Sequence, residues 1–149
     1  MNINRTCIER LRNIERCGYS AHGVWAAEPT ALACLALIHH DEHAAAQQLA
    51  TQLADVQQSN GAVPTQAEGD SPSWTTSLAI LAWLANDAFE ENIDRAIAWT
   101  LQAHGKTIPR NSEIGHDTTL LGWSWAANTH AWMEPTCMFV VALKAAGMR

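Results

Sequence analysis

Apolar residues recur three or four positions apart in three stretches of the chain: Ile8, Leu11 and Ile14; Leu49, Leu53 and Val56; Ile93, Ile97 and Leu101. This spacing gathers each set on one face of a helix and leaves charged and amide side chains on the other. A second kind of segment alternates with the first and is apolar nearly all round: Pro29 to Leu37, Thr75 to Trp83 and Pro135 to Leu143. A helix without a polar face needs cover on every side. The pattern therefore predicts three amphipathic outer helices alternating with three inner ones.

Each outer stretch ends in a short polar signal closed by glycine: Glu15-Arg-Cys-Gly18, Gln58-Ser-Asn-Gly61 and Gln102-Ala-His-Gly105. A glycine just past a helix is the usual left-handed terminator. The signals recur with a period in the forties, which divides one domain, 1–149, into helical hairpins at about 3–40, 41–87 and 88–149. The first and third inner helices open with the same tripeptide, Glu28-Pro29-Thr30 and Glu134-Pro135-Thr136, each just after a tryptophan, Trp25 and Trp132. Proline suits the first helical position, where no N–H is needed. The second inner helix opens instead on Trp74-Thr75-Thr76, with Ser73 as its expected cap. The third connection, 106–133, is much longer than the others, and a loop of that length is usually functional or partly helical.

Composition supports an all-helical fold: 48% of the 149 residues are apolar and only 16% charged, with alanine and leucine far ahead of valine, tyrosine and phenylalanine. Seven tryptophans stand against one tyrosine and two phenylalanines. Indole is large and stiff and presents one polar N–H from an apolar wall. The net charge of −6 carries no basic cluster able to hold a phosphate backbone, which argues against a nucleic-acid partner. No apolar run is long enough to span a bilayer, and the first residues lack the apolar stretch of a secretion signal, so a cytoplasmic location is expected. Cys7, Cys17, Cys34 and Cys137 form no metal-type pair and are expected to be reduced, buried thiols.

The alternation of an outer helix ending in a glutamine-glycine signal with an apolar inner helix resembles the repeat of the α/α-toroids in squalene–hopene cyclases and protein prenyltransferase β subunits. Gln57-Gln-Ser-Asn-Gly61 is similar to the glutamine-glycine part of the cyclases' QW motif, with Val63 where an aromatic residue would follow. The stretch from Gly122 to Thr136, with Trp123, Trp125 and Trp132, resembles a segment of bacterial prenyltransferase/squalene-oxidase-repeat proteins. The family ring closes with about six hairpins, so the resemblance implies half a ring here, completed by a homodimer or by a different half-toroid partner. It implies no cofactor that these residues would hold. The cyclases' Asp-x-Asp-Asp acid motif is absent from the sequence, and the prenyltransferases' zinc-binding Asp, Cys and His cannot be mapped onto it.

The candidate catalytic groups are Glu28, Glu134, Asp117 and His130. A carboxylate at a helix N-terminus is explained by the helix dipole alone; in an apolar pocket its raised pKa would also make it a proton donor. His116-Asp117 and His130 sit in the long loop, where Asp117 ahead of Thr-Thr-Leu-Leu reads equally as a helix N-cap. Trp25, Trp74, Trp83, Trp123, Trp125 and Trp132 are the candidate ligand-binding residues, against ordinary packing as the alternative. The run His39-His-Asp-Glu-His43 has a metal-like composition, but neighbouring side chains on a helix-to-turn junction diverge, and a turn capped by Asp41 is preferred. Asp70 is read as a turn residue before Pro72. Three readings follow: a protein binding an isoprenoid-like or other hydrophobic small molecule between its indoles, a cyclase or isomerase using Glu28 or Glu134 as acid, and a repeat module that docks a protein.

Overall fold

The computed structural model describes residues 3–20, 22–68 and 72–148; Asp70 lies outside them. The described residues form six helices and no strand: α1 (Ile3–Arg12), α2 (Ala27–His39), α3 (His43–Asp55), α4 (Thr76–Ala85), α5 (Glu90–Gln102) and α6 (Met133–Ala145). Among them, no helix is long and apolar enough to cross a membrane.

The inner helices form a row in which α4 packs against both α2 and α6. Its central place explains its sequence. Thr76 to Ile80, Ala82 and Trp83 are all buried, so no face of α4 is left to be polar. Helices adjacent along the chain also pair closely, α2 with α3 across the turn at 40–42 and α4 with α5 across 86–89. Each runs inner helix to outer helix, over the hairpin boundaries at 40/41 and 87/88 that the glycine signals suggest.

Small residues make these approaches possible. Ala31, Cys34, Ala46, Ala50, Ala79 and Ala82 are fully buried, and the Cys34 thiol donates to the Ala46 carbonyl across 3.4 Å. Leu37, Leu49, Leu53, Ile80 and Trp83 fill the remaining space. Polar side chains tie the layers where the backbone would be left unpaired. The Gln57 amide donates to the carbonyls of Gly61 (3.0 Å) and Asn92 (2.9 Å) and accepts from Asn92 and Arg95, which locks the second signal to the start of α5. Arg12 pairs with Glu42 and ties α1 to the start of α3.

The glycines of the three signals act differently from helix terminators. The helices end at Arg12, Asp55 and Gln102, several residues before Gly18 and Gly61 and three before Gly105. What excludes a side chain there is close approach. A methyl group on Gly61 would overlap the Arg95 carbonyl, and one on Gly105 would overlap the Ala131 amide. Gly61 also sits at φ +97°, where an L side chain is strained.

The first turns of the inner helices also depart from expectation. Pro29 and Pro135 occupy the third helical position, which likewise lacks an intrahelical partner for its amide. The Ser73 side chain does not cap α4; its carbonyl accepts from the Thr76 hydroxyl at 2.7 Å. That hydroxyl in turn accepts from the Val63 amide at 2.8 Å, and the Thr136 hydroxyl accepts from the Trp123 amide at 3.0 Å, each thirteen residues along the chain. Trp123 therefore fills, in the third repeat, the place that Val63 fills in the second.

This register explains the long loop. Gly61 precedes Thr76 by 15 residues, whereas Gly105 precedes Thr136 by 31. The additional residues leave and return at one point, where the Gly105 amide donates to the Gly122 carbonyl at 2.7 Å. Residues 106–121 are thus an insertion pinched between two glycines. A side chain on Gly122 would meet the Thr136 hydroxyl. The insertion contains no helix; it is held by the Ile108 amide to the Thr118 carbonyl at 3.0 Å and the Thr118 hydroxyl to the Ile108 carbonyl at 2.9 Å.

Two thiols differ from the expected burial. Cys17 and Cys34 are buried, and burial pushes both thiols upward in pKa, but Cys7 and Cys137 are exposed. Cys137 is exposed because α6 ends the inner row. With α4 on one flank only, α6 leaves Met133 (82% exposed), Val140 (51%) and Val141 (56%) uncovered. The expectation of an inner helix covered all round therefore holds for α4 and fails for α6.

Candidate functional site

Beside the C-terminal end of α5, a cleft of about 390 Å³ opens between the second and third repeats. The two polar signals build one side of it, through Gln58 and Asn60 from one and Gln102 and His104 from the other. Ser73 and Trp74, ahead of α4, and the stretch Trp123 to Asn128, ahead of α6, build the other, with Trp99 and Phe139 contributing from α5 and α6. Structurally matching positions of neighbouring repeats thus face a common space.

The tryptophans divide into two groups by what their indole N–H does. Trp83 is fully buried and donates to the Ala50 carbonyl at 3.1 Å; Trp25 donates to the Gln52 side chain at 3.1 Å. Trp123 borders the cleft but is fastened, with its N–H on the Thr100 carbonyl at 3.0 Å and its ring stacked on Phe139, centroids 5.2 Å apart. Trp74, Trp99 and Trp125 also line the cleft, half-buried, and their indole N–H groups, which donate to no described residue, are open to solvent. Trp74 and Trp125 meet edge to face, centroids 4.7 Å apart at 85°. That arrangement fixes both rings while each keeps area facing the cleft. No described residue lining the cleft bears a carboxylate, an ammonium or a guanidinium, and His104 is the one titratable side chain among the described lining residues.

The other candidate residues lie elsewhere. Glu28, in the first turn of α2, accepts a hydrogen bond from the Tyr19 hydroxyl at 2.7 Å. Partial burial, together with the bond to and charge of Glu28, pushes the Tyr19 phenol up to about 12. Glu134 is exposed in the first turn of α6. Neither glutamate lines the cleft. Asp117 caps a turn and not a helix, accepting from the Thr119 amide at 3.0 Å and from its hydroxyl at 2.6 Å. Those bonds, with a smaller contribution from Arg110, hold its carboxyl below the usual range, the wrong direction for a proton donor. The His130 ring packs at a tilt of 34° against His116 (centroids 4.5 Å) and against the half-exposed Trp132 (4.9 Å), and its Nε2 is buried without a hydrogen-bond partner among the described residues. The expected cap by Asp41 is not formed: Glu42 holds the N-cap position of α3 without a side-chain cap bond, and Asp41 sits at φ +60° with its carboxylate 3.9 Å from the His43 ring.

Of the six tryptophans marked by sequence, the cleft brings together Trp74, Trp123 and Trp125. The sequence reading missed Trp99, Phe139 and His104. Trp99 carried a usable signal: it lies two residues past Ile97, off the stripe of Ile93 and Ile97, and its ring instead packs at a tilt against Phe139, centroids 6.1 Å apart.

No family model, no curated protein and no solved structure matches the chain.

Proposed function

We propose that the chain is a small-molecule binding protein whose site is the indole cleft between the second and third repeats, and that its ligand is uncharged. The observation that carries this reading is the set of three indole N–H groups, on Trp74, Trp99 and Trp125, that no described residue uses. Fixed ring faces supply contact area at low entropic cost, and unused donors supply orientation, the usual combination in ligand sites of a few hundred cubic ångströms. Binding is favoured over cyclase or isomerase chemistry because the proton donors such chemistry needs, Glu28 and Glu134, stand outside the cleft, and Asp117 is held ionised. The isoprenoid-like ligand implied by the family resemblance is the apolar extreme of this class.

The test is the indole region of an ¹⁵N–¹H spectrum recorded during titration with uncharged small molecules. A true ligand shifts the signals of Trp74, Trp99 and Trp125 and leaves those of Trp25 and Trp83 in place. A tight ligand that leaves all three cleft signals unmoved overturns the reading.

The toroid reading adds a second copy of the chain. Met133, Cys137, Val140 and Val141 lie on the face of α6 left open at the end of the inner row, the position at which a ring would continue. Light scattering on the pure protein decides it. A dimer supports a closed ring, and a stable monomer at high micromolar concentration ends that proposal without touching the cleft.

A further inference from the structure

The polar groups of the cleft narrow the ligand further, and we infer that it is a neutral saccharide, small enough to place one or two rings against the indoles. This inference rests on the cleft being a binding site.

Three properties of the cleft must be met together. Indole N–H groups donate and never accept, so a ligand that displaces water from Trp74, Trp99 and Trp125 must present acceptors to them. The side-chain amides of Gln58, Gln102 and Asn128 each offer both a donor and an acceptor, so they are best matched by groups that do both. The ring faces of the indoles need a flat apolar surface within reach of those polar groups.

A pyranose satisfies all three. Its hydroxyls donate and accept, its axial C–H groups form an apolar face, and it carries no charge to be left unpaired where no described lining residue offers an opposite one. A hydrocarbon chain fits the ring faces but desolvates the indole and amide donors without replacing their hydrogen bonds. A quaternary ammonium ion fits the ring faces too. It offers no acceptor to the indoles, and no described lining carboxylate balances its charge. The volume of about 390 Å³ is at the small end for ligand sites, which favours a mono- or disaccharide over a long chain.

The experiment titrates the intact protein, by calorimetry and tryptophan fluorescence, with three probe sets: a panel of neutral methyl glycosides and disaccharides, farnesol, and choline. Saturable binding of a panel sugar is expected, lost in Trp125→Ala and weakened roughly tenfold in Trp125→Phe, which keeps a ring and removes the N–H. Thermal melts of both variants, matching the parent, separate lost binding from lost fold. Saturation by farnesol with none by the sugars overturns the saccharide assignment and leaves the reading of an uncharged cleft ligand standing, whereas saturation by choline overturns both the saccharide assignment and the uncharged ligand. Silence of all three sets, with no cleft indole signal moved, overturns both. Binding of a sugar that Trp125→Ala leaves intact places it elsewhere and overturns the inference as well.

Discussion

The middle of the molecule and its third repeat use the same residue types to opposite ends. Around α4, indole is a packing unit: Trp83 is fully buried beside Phe89 and its N–H is spent on Ala50 of α3. In the third repeat, Trp99, Trp123 and Trp125 gather at a cleft where only Trp123 spends its N–H on a described residue, α6 leaves valines uncovered, and sixteen residues have been inserted at a point where the backbone nearly touches itself. The difference lies in neighbours. An element with helices on both flanks has no choice but to bury its side chains, whereas one at the end of a row keeps a free side that is available for binding.

The strongest way to break this contrast is to truncate one tryptophan from each region. Trp83→Ala removes a fully buried ring and leaves a void, and should cost about 3–5 kcal/mol, read as a large fall in melting temperature. Trp125→Ala removes a ring that borders open space and should cost no more than about 1 kcal/mol, read in the same melt. Equal losses in the two variants would mean that the cleft indoles are core residues after all.

A smaller difference is expected at the paired threonines. Thr76→Val deprives the buried Val63 amide of its acceptor and should destabilise by about 1–3 kcal/mol in urea unfolding. Thr136→Val does the same to the Trp123 amide, which is only partly buried, so water can take over and the loss should be smaller. The reverse order would show that the third repeat, and not the second, carries the stability of the inner row.

How much of this was legible beforehand depended on whether a residue's role was local. Helix existence follows from spacing within a dozen residues, and all six helices lie where Ile8 and Leu11, Leu49 and Leu53, Ile93 and Ile97 and the three apolar runs place them. What the sequence could not convey was pairing at a distance. The glycines of the polar signals are needed because Arg95 and Ala131 arrive beside them, facts about other segments. Gly105 and Gly122 look like unrelated turn residues until the bond between them reveals an insertion. The cleft is half legible for the same reason. Trp74, Trp123 and Trp125 stood out by composition, but Trp99 belongs with them only through the packing of α5 on α4.

The insertion sharpens the comparison in a direct way. If 106–121 is an appendage, joining Gly105 to Gly122 should leave the helical circular dichroism signal unchanged apart from chain length. Stability should move by no more than ~1 kcal/mol, or roughly 2–4 °C in a chain of this size. The variant loses the His116 ring that packs against His130 and Trp132 and keeps every residue that lines the cleft. Collapse of the fold would instead make the insertion part of the third repeat's core.

The least perturbing test compares the two glutamates that open matching tripeptides. Glu28 accepts from Tyr19, whereas Glu134 is exposed at the start of α6. Tyr19 is the chain's one tyrosine, so tyrosinate absorbance reports this residue alone. The folded phenol should titrate near 12, above its ordinary value of 10. A raised folded value means that the protonated form is favoured by folding. The stabilisation is therefore complete below about pH 10 and is lost as pH rises from 10 through 12. Glu28→Gln should return the midpoint toward 10 by removing the charge and the charged acceptor, while Glu134→Gln should leave it where it is. A midpoint near 10 in the parent protein would show that Glu28 is as open to solvent as Glu134, and that the two ends of the inner row differ less than their hydrogen bonds indicate.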